Sequence, residues 1–287
     1  MVTTIPAISR LSSRILRVLG CNPSPMTLQG TNTYIIGTGP RRILLDTGDS
    51  DVSQYIKNLD KVLQSEKIDL EHIIVTHWHH DHIGGVHNVV EKVQNGCLVW
   101  KLKRTECVDD PLPNNIPLNF LQDGDEITTT GATLRVIHTP GHTTDHICLK
   151  LVEENALFSG DCILGEGTAV FEDLYDYMKS LEKILDINPK IIFPGHGPVV
   201  ENPAEKIKYY IKHRNQREQQ ILQVLKKEAR KMTEMDLVKI IYTETPEQLH
   251  QAAAVNVNHH LTKLLKENKV LQCDSGSHWQ YKADSNL

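Results

Sequence analysis

The 287-residue sequence lacks any run of about 18–20 uninterrupted apolar residues, which is the length that a membrane-spanning helix requires. It also lacks a CxxC pair, because its six cysteines are scattered along the chain. That spacing provides neither a thiolate zinc site nor a disulfide framework, and it is typical of a reducing compartment. We therefore expect a protein without spanning helices, and the sequence indicates neither a membrane partner nor an obligate protein partner.

Acidic residues are absent from the N-terminal segment, where Asp46 is the first aspartate or glutamate. The first 20 residues contain three arginines and three serines. This composition is typical of a mitochondrial transit peptide and predicts a location in the mitochondrial matrix. The alternative is that Arg14–Gly20 forms an edge strand, since its apolar residues suit a half-buried sheet. Both can hold if the signal is not cleaved.

Charge and periodicity divide the chain near Val200. Residues 1–200 contain 17 basic and 25 acidic residues, a net charge of −8, whereas residues 201–287 contain 14 and 11, a net charge of +3. Strand and helix patterns alternate in the first part, which predicts an α/β fold. The second part predicts helices followed by a small hairpin, the order of a winged-helix-like module. We therefore predict two domains, residues 1–200 and 201–287.

Several elements can be placed from their patterns. Asn32–Ile36 and Arg42–Leu45 flank a glycine turn and predict a hairpin, and Ile83–Val93 predicts one helix. Thr245-Pro246-Glu247-Gln248 has the form of a capping box and predicts a helix start. Further strands are predicted at residues 72–76, 132–138, 146–152, 155–159, 190–194, 269–272 and 278–282, and further helices at 54–63, 173–185 and 203–231.

Histidine is the abundant residue, with 15 in the chain, and its densest cluster is Thr76-His77-Trp78-His79-His80-Asp81-His82. Four histidines and one aspartate within six positions are not ordinary core residues, because burying so many polar groups needs strong compensating partners. The stretch follows an apolar strand pattern and precedes two glycines. It predicts a metal site.

Three later strand patterns each lead into a residue that can bind a metal, with glycine beside it. These residues are His142, Asp161 and His196. Strand ends present functional groups on a rigid scaffold, and glycine lets the backbone turn tightly beside a ligand. Each segment taken alone predicts only a turn. Four such segments in one α/β body predict a single shared site.

The pattern HWHHDH, followed by His142, Asp161 and His196, resembles the metallo-β-lactamase superfamily and its HxHxDH signature. Asp46 matches the aspartate of that family's first motif. The resemblance covers roughly residues 15–200. Within the superfamily, three segments and the basic C-terminal part resemble the lactamase-β-like protein 2 endoribonucleases of mitochondria. The segments are Cys21–Pro23, Leu28–Tyr34 and Ser159–Gly165.

The resemblance implies a four-layer αββα sandwich that holds two zinc ions per chain. It implies one zinc on His77, His79 and His142, the other on Asp81, His82 and His196, and Asp161 as the bridge. It gives Asp81 and Asp161 the catalytic role and leaves His80 outside the ligand set. Asp46 is expected to accept a ring N–H from a ligand histidine. Imidazole and carboxylate ligands suit zinc, without excluding manganese or iron.

Such a pair of metals lowers the pKa of a shared water towards about 7 and supplies a nucleophile at neutral pH. His146 is a further candidate, as a proton donor near the site. The alternative is a strand histidine whose hydrogen bonds are satisfied within the fold.

The substrate remains open between three hypotheses. The first is an endonuclease of single-stranded RNA, with Lys208, Lys212 and Arg214 contacting phosphates, although their spacing also fits a solvated helix face. The second is a glyoxalase-II-like thioester hydrolase, which shares all seven ligands. The third, non-catalytic binding, is disfavoured by the complete ligand set. Only 34 residues separate Asp161 from His196, too few for a β-CASP insertion. The resemblance favours RNA.

Overall fold

The computed structural model describes residues 3–93 and 96–283 of the chain. Met1 and Val2, which begin the predicted transit signal, lie outside the described residues. Among the described helices none is both long enough and apolar enough to cross a membrane.

Seven strands form the first sheet in the order in which they occur along the chain. They are β1 (Ile8–Arg10), β2 (Ile15–Leu19), β3 (Asn32–Ile36), β4 (Arg41–Leu45), β5 (Asp69–Ile74), β6 (Leu98–Leu102) and β7 (Leu118–Leu121). Strands β1 to β4 are antiparallel, and β4 to β7 are parallel. The predicted hairpin is confirmed as β3 and β4. The expected edge strand is β2, but it lies inside the sheet because β1 pairs with its outer side.

Five strands form the second sheet, in the order β12-β11-β10-β9-β8. They are β8 (Glu126–Thr129), β9 (Ala132–His138), β10 (Ile147–Leu151), β11 (Ala156–Gly160) and β12 (Ile191–Pro194). Four of these strands are confirmed predictions, whereas β8, like β1, β6 and β7, was not predicted. Strands β11 and β12 are parallel, and the remaining pairs are antiparallel.

Seven α-helices complete the described fold. They are α1 (Ser53–Glu66), α2 (His80–Ile83), α3 (Val86–Val93), α4 (Leu174–Ile187), α5 (Pro203–Glu228), α6 (Glu234–Ile241) and α7 (His250–Lys266). The helix predicted over Ile83–Val93 is confirmed over Val86–Val93 as α3, but its start is wrong because turn residues at Gly84 and Gly85 separate α3 from α2. At that break Gly85 lies against the Thr47 backbone, and a Cβ on Gly85 would be only 2.2 Å from the Thr47 carbonyl oxygen.

The two sheets face each other across an apolar core, and helices cover their outer faces. Tyr34 of the first sheet contacts Phe158 of the second, with ring centroids 5.0 Å apart. Helices α1 and α3 pack on the outer face of the first sheet. Helices α4 and α5 pack on the outer face of the second. The αββα sandwich implied by the sequence resemblance is therefore confirmed.

The C-terminal helices enclose a separate core with a two-stranded sheet, β13 (Val270–Cys273) and β14 (His278–Tyr281). Trp279 lies at its centre and is 1% exposed. Thr233 caps α6 in a capping box with Asp236. The capping box predicted at Thr245 is wrong, because a 3₁₀ turn over Glu247–Leu249 leads into α7 there. The division into residues 1–200 and 201–287 stays a prediction, and α5 contributes to the cores on both sides of it.

Candidate metal centre

Seven side chains that the sequence singles out converge where strands of both sheets end. Strand β5 leads into a loop that carries His77 and His79 and then into α2, which carries Asp81 and His82. Strands β9, β11 and β12 lead into His142, Asp161 and His196, respectively. The short loops between the strands and these residues fix the side chains over one edge of the sandwich. The shared site predicted from four strand ends is therefore present in the structure.

Three imidazole nitrogens face one another in the first half of the site. His77 Nε2 lies 3.0 Å from His79 Nδ1, and His142 Nε2 lies 3.2 Å and 3.0 Å from those two atoms. The other nitrogens are occupied, since His77 Nδ1 donates to Thr76 Oγ1 and His142 Nδ1 donates to the Val170 carbonyl. Unprotonated nitrogens of His77 and His142 therefore point at a common centre.

Two histidines and an aspartate form the second half. His82 Nε2 and His196 Nε2 are 3.2 Å apart. Asp81 Oδ2 lies 3.3 Å from the first nitrogen and 3.1 Å from the second.

The Asp161 carboxylate lies between the two halves. Its Oδ1 is 3.4 Å from His82 Nε2 and 3.3 Å from His196 Nε2, while its Oδ2 is 3.6 Å from His142 Nε2. Oδ1 is buried and has no hydrogen-bond partner among the described residues. One carboxylate thus presents an oxygen to each half, which is the arrangement of a bridging ligand.

These residues fit a divalent metal. Nitrogen ligands about 2.0–2.1 Å from a tetrahedral metal lie about 3.3 Å apart, close to the separations in the His77, His79 and His142 group. The Nε2 lone pairs of His77 and His142 face each other at 3.2 Å without a proton between them and repel, and a buried carboxylate oxygen without a donor is costly. A cation at each centre removes both penalties. The donor set contains only nitrogen and oxygen, which suits zinc, iron or manganese.

Asp46 supports the ligand-bearing segment, residues 76–82, through hydrogen bonds to both of its ends. Its Oδ2 accepts a hydrogen bond from His82 Nδ1 at 2.8 Å, as the sequence resemblance implies. The same carboxylate accepts the backbone N–H of Thr76 at 2.8 Å and the Thr76 hydroxyl at 3.0 Å. Because Thr76 in turn accepts from His77, one buried aspartate orients a histidine in each half. Its backbone has φ of 57°, a left-handed conformation at the end of β4 that aspartate tolerates.

The two halves differ in their electrostatics. Burial lowers the pKa of His77 well below its ordinary value and lowers the pKa of His79 to about 4. Both rings are therefore neutral near pH 7, the state in which imidazole binds a metal. Burial also opposes a charge on His196, but the carboxylates of Asp161 and Asp81 raise its pKa to about 9. A metal bound there replaces that proton.

Two neighbouring histidines lie outside the ligand group. The His80 side chain is 68% exposed, and its Nε2 is 3.1 Å from Ser50 Oγ. His146 is buried beneath the site, where its Nε2 accepts the Asp161 backbone N–H at 3.0 Å and its Nδ1 donates to Thr139 Oγ1 at 2.8 Å. Both ring nitrogens of His146 are therefore engaged within the fold. The geometry favours the alternative of a satisfied histidine over that of a proton donor.

The three basic residues expected to contact phosphates separate into two environments. Lys208 and Lys212 are exposed beside a cavity of about 510 Å³ next to Leu185. Arg214 is 6% exposed, its Nη2 donates to the Ala169 carbonyl at 3.0 Å, and burial lowers its pKa. The phosphate contact expected of Arg214 conflicts with this position, because its guanidinium is committed inside the protein.

Arg214 instead helps to hold the loop between β11 and α4, a positioning role that the sequence reasoning missed. Its guanidinium also lies 4.7 Å from the Phe171 ring centroid. One helical turn earlier, the Tyr210 hydroxyl donates to the Gly167 carbonyl at 3.0 Å. Lys206, a further turn earlier, donates to the Gly167 carbonyl at 3.3 Å. Val170 lies in the loop segment that these contacts hold, and its carbonyl accepts the hydrogen bond from His142 Nδ1. The four-residue spacing of Lys206, Tyr210 and Arg214 is the signal in the sequence that could have indicated this face.

Comparisons with known proteins agree with this geometry. Residues 26–196 match the metallo-beta-lactamase superfamily, and residues 233–279 match the beta-lactamase associated winged helix domain. The chain is 60% identical over 271 residues to the "Beta-lactamase-like protein 2 homolog" of Drosophila melanogaster, covering 93% of this chain and 92% of the relative. These matches confirm the resemblance found in the sequence and the winged-helix character of the C-terminal module.

Two solved structures resemble the chain. A beta-lactamase domain protein from Burkholderia ambifaria superposes with a TM-score of 0.78 at 17% identity, covering 97% of this chain and 95% of that one, and shows the fold. TTHA1623 in a di-iron-bound form superposes with a TM-score of 0.51 at 25% identity, covering 66% of this chain and 96% of that one.

His79→Ala should lower metal content much more than His80→Ala. His79 Nδ1 faces two other ligand nitrogens, whereas the neighbouring His80 ring is exposed and contacts Ser50. We expect His80→Ala to retain the metal of the wild-type protein and His79→Ala to lose at least half of it. Elemental analysis of both purified variants measures this, and equal losses would contradict the placement of the two rings.

Arg214→Leu should weaken metal binding by about tenfold, at the lower end of the range for residues that orient ligands. Leucine keeps apolar contact with Phe171 but releases the Ala169 carbonyl, so the Val170 carbonyl no longer has a fixed position under His142. Gln216→Leu, exposed on the same helix, is the control. Competition with a metal chelator measures both affinities, and equal affinities would show that the loop does not depend on Arg214.

Proposed function

The chain belongs to the metallo-beta-lactamase superfamily, and on that premise we propose that it is a zinc-dependent endoribonuclease that cleaves single-stranded RNA. Membership and the histidine–aspartate cluster indicate a metal-binding hydrolase. Zinc as the metal, two ions per chain and RNA as the substrate are the steps that the proposal adds.

The observation that carries the proposal is the pair of ligand groups that share Asp161. Each group offers three side chains of its own, the number of protein ligands in catalytic zinc sites, and adds only one oxygen of the shared carboxylate, so a metal there takes water or substrate by expanding to five-coordination. A closed structural site would have no such position. The di-iron form of TTHA1623 supports a binuclear occupancy of this type of site.

Two metals, when bound, supply a water nucleophile at neutral pH and neutralise charge that develops on phosphate oxygens. The chain's own residues prepare this chemistry. Asp161 fixes the spacing between the two ligand groups, and Asp46 holds His82 in one tautomer. The Asp81 side chain is 23% exposed, so its carboxylate is accessible to an attacking water and can accept a hydrogen bond from it. His146 positions Asp161 by accepting a hydrogen bond from the Asp161 backbone N–H.

Several observations support RNA over a thioester. The C-terminal part is net basic, and Lys208 and Lys212 expose two cations at four-residue spacing on α5. Phosphate contacts by such cations are the main source of affinity for single strands. The segments Cys21–Pro23 and Leu28–Tyr34 resemble mitochondrial endoribonucleases. A glyoxalase-II-like thioester hydrolase uses the same seven ligands and is the alternative that the experiment below separates.

We further propose that the protein acts in the mitochondrial matrix. The proposal rests on the acid-free N-terminal composition and on the family resemblance. Strand β2 (Ile15–Leu19) lies inside the first sheet, so removal of a signal that extends through residue 19 would delete an interior strand. A signal in this segment would therefore remain in the mature protein or end before β2.

Zinc-loaded protein should cleave single-stranded RNA. The double variant Lys208→Gln/Lys212→Gln should reduce this activity strongly at about 50 mM salt and less at about 200 mM salt, because salt weakens phosphate contacts. Each lost phosphate contact flattens the slope of log affinity against log salt by about 0.7, so the double variant should flatten it by about 1.4. The dependence of kcat/KM on salt, measured with a fluorescent single-stranded RNA, gives the slope.

Lys57→Gln/Lys61→Gln is the matched control, because it removes two exposed lysines at the same spacing from α1, on the other side of the sandwich. Its slope should equal that of the wild-type protein. Equal slopes for all three proteins would refute the role of Lys208 and Lys212. Absence of RNA cleavage together with rapid hydrolysis of an acyl thioester would assign the protein to the alternative.

A further inference from the structure

A cavity of about 410 Å³ lies beside the metal centre, between the ligand loop and the segment that follows β6. Its apolar wall consists of Trp78, Ile83, Leu112 and Leu118. Carboxylates line other parts of it, from Asp51, Asp109 and Asp110. The volume falls in the range of small-ligand sites. None of the seven ligand side chains lines the cavity, and the proposed hydrolysis does not require it.

Trp78 forms the wall between this cavity and the metal centre. It stands between two ligand residues in the sequence, and its ring centroid is 4.6 Å from that of His79. The Arg104 guanidinium lies 4.3 Å from the Trp78 ring centroid. Trp78 Nε1 is buried and finds no acceptor in the described part of the chain. A tryptophan so placed leaves one N–H to be satisfied from outside the protein.

We propose that this cavity binds a nucleobase of the RNA, from a nucleotide next to the cleaved phosphodiester. The inference rests on the proposed endoribonuclease function and deepens it. Unpaired bases bind proteins by stacking on aromatic rings and on arginine planes, and the Arg104 guanidinium, itself held over the Trp78 ring, offers such a plane.

The charges of the cavity fit a base and do not fit a phosphate. Asp51 and Asp110 are exposed carboxylates, which accept hydrogen bonds from exocyclic amino groups but repel phosphate oxygens. The one cation in the lining with a fixed charge is Arg104, and its Nε already donates to Glu106 Oε1 at 2.6 Å. The phosphodiester therefore belongs at the metals and the base in the cavity.

One wall of the cavity is held rigidly. Buried Lys101 forms ion pairs with Asp109, which lines the cavity, and with Asp145, three residues beyond the ligand His142. The Asp109 Oδ2 atom also accepts the Arg104 backbone N–H at 3.2 Å. This network fixes the cavity wall relative to the metal centre, so a base and its phosphate could bind without rearranging the loop.

The test combines variants of the cavity with RNA that lacks one base. Four versions of a short single-stranded RNA with one mapped cleavage site are prepared. One is intact, one has an abasic ribose on the 5′ side of the cleaved bond and one has it on the 3′ side. The fourth has an abasic ribose three nucleotides away. The proteins are the zinc-loaded full chain, Trp78→Leu and Arg104→Met, with the metal content of each measured by elemental analysis.

For the wild-type protein we expect removal of one adjacent base to raise KM about tenfold, a typical effect of losing one stacked base. Removal of the distant base should change KM less than twofold. In both variants the intact RNA should already have the raised KM. Removal of the adjacent base should then raise KM by less than a further twofold, because the substitution has already removed the contact with that base.

Additive effects of Arg104→Met and the abasic ribose would show that Arg104 and the adjacent base contribute independently, and would overturn the assignment. The assignment also fails if wild-type protein cleaves all four RNAs with the same KM. Failure to cleave even the intact RNA would instead contradict the proposed function, so the two failures are distinguishable. Variants that lose metal are compared by KM at restored metal content, which separates cavity effects from damage to the metal centre.

Discussion

Unprotonated nitrogens of His77 and His142 point at one centre with His79 Nδ1, at separations of 3.0–3.2 Å. Such an arrangement is unfavourable without a metal, because no proton lies between the Nε2 lone pairs of His77 and His142, which are 3.2 Å apart. The fold must therefore hold the rings by their other atoms. The Thr76 hydroxyl and the Val170 carbonyl do this, and each depends on a different part of the chain.

The support from below is a single buried carboxylate. Asp46, in a left-handed backbone conformation at the end of β4, binds Thr76 through two hydrogen bonds and His82 through a third. A second support comes from the C-terminal part of the chain. Arg214 of α5 donates a hydrogen bond to the Ala169 carbonyl, next to Val170 in the loop between β11 and α4. The metal centre thus joins both sheets and the helix that leads into the winged-helix module. Through these contacts the position of His142 depends on a residue of α5 that lies outside the two sheets.

The ligand residues were predictable because HWHHDH has a specific spacing after an apolar strand, and because His142, Asp161 and His196 each follow a strand pattern and a glycine. The central strands were predictable because their apolar runs are continuous. Strands β1, β6, β7 and β8 were missed because their apolar patterns are short or mixed. The burial of Arg214 was missed because charge alone does not reveal which side of a long helix faces the protein. The cavity at Trp78 depends on Arg104, 26 positions further along the chain, and only the folded structure brings these two residues together.

The central claim is that one carboxylate, Asp161, joins two metal sites in each chain. X-ray absorption spectroscopy of the zinc-loaded full chain tests it directly, because the spectrum reports both the ligand atoms and a neighbouring metal. The account predicts nitrogen and oxygen ligands at about 2.0–2.2 Å and a second metal at about 3.5–4 Å, with two zinc ions per chain by elemental analysis. A single zinc per chain without a metal neighbour, or a sulfur ligand, would contradict it.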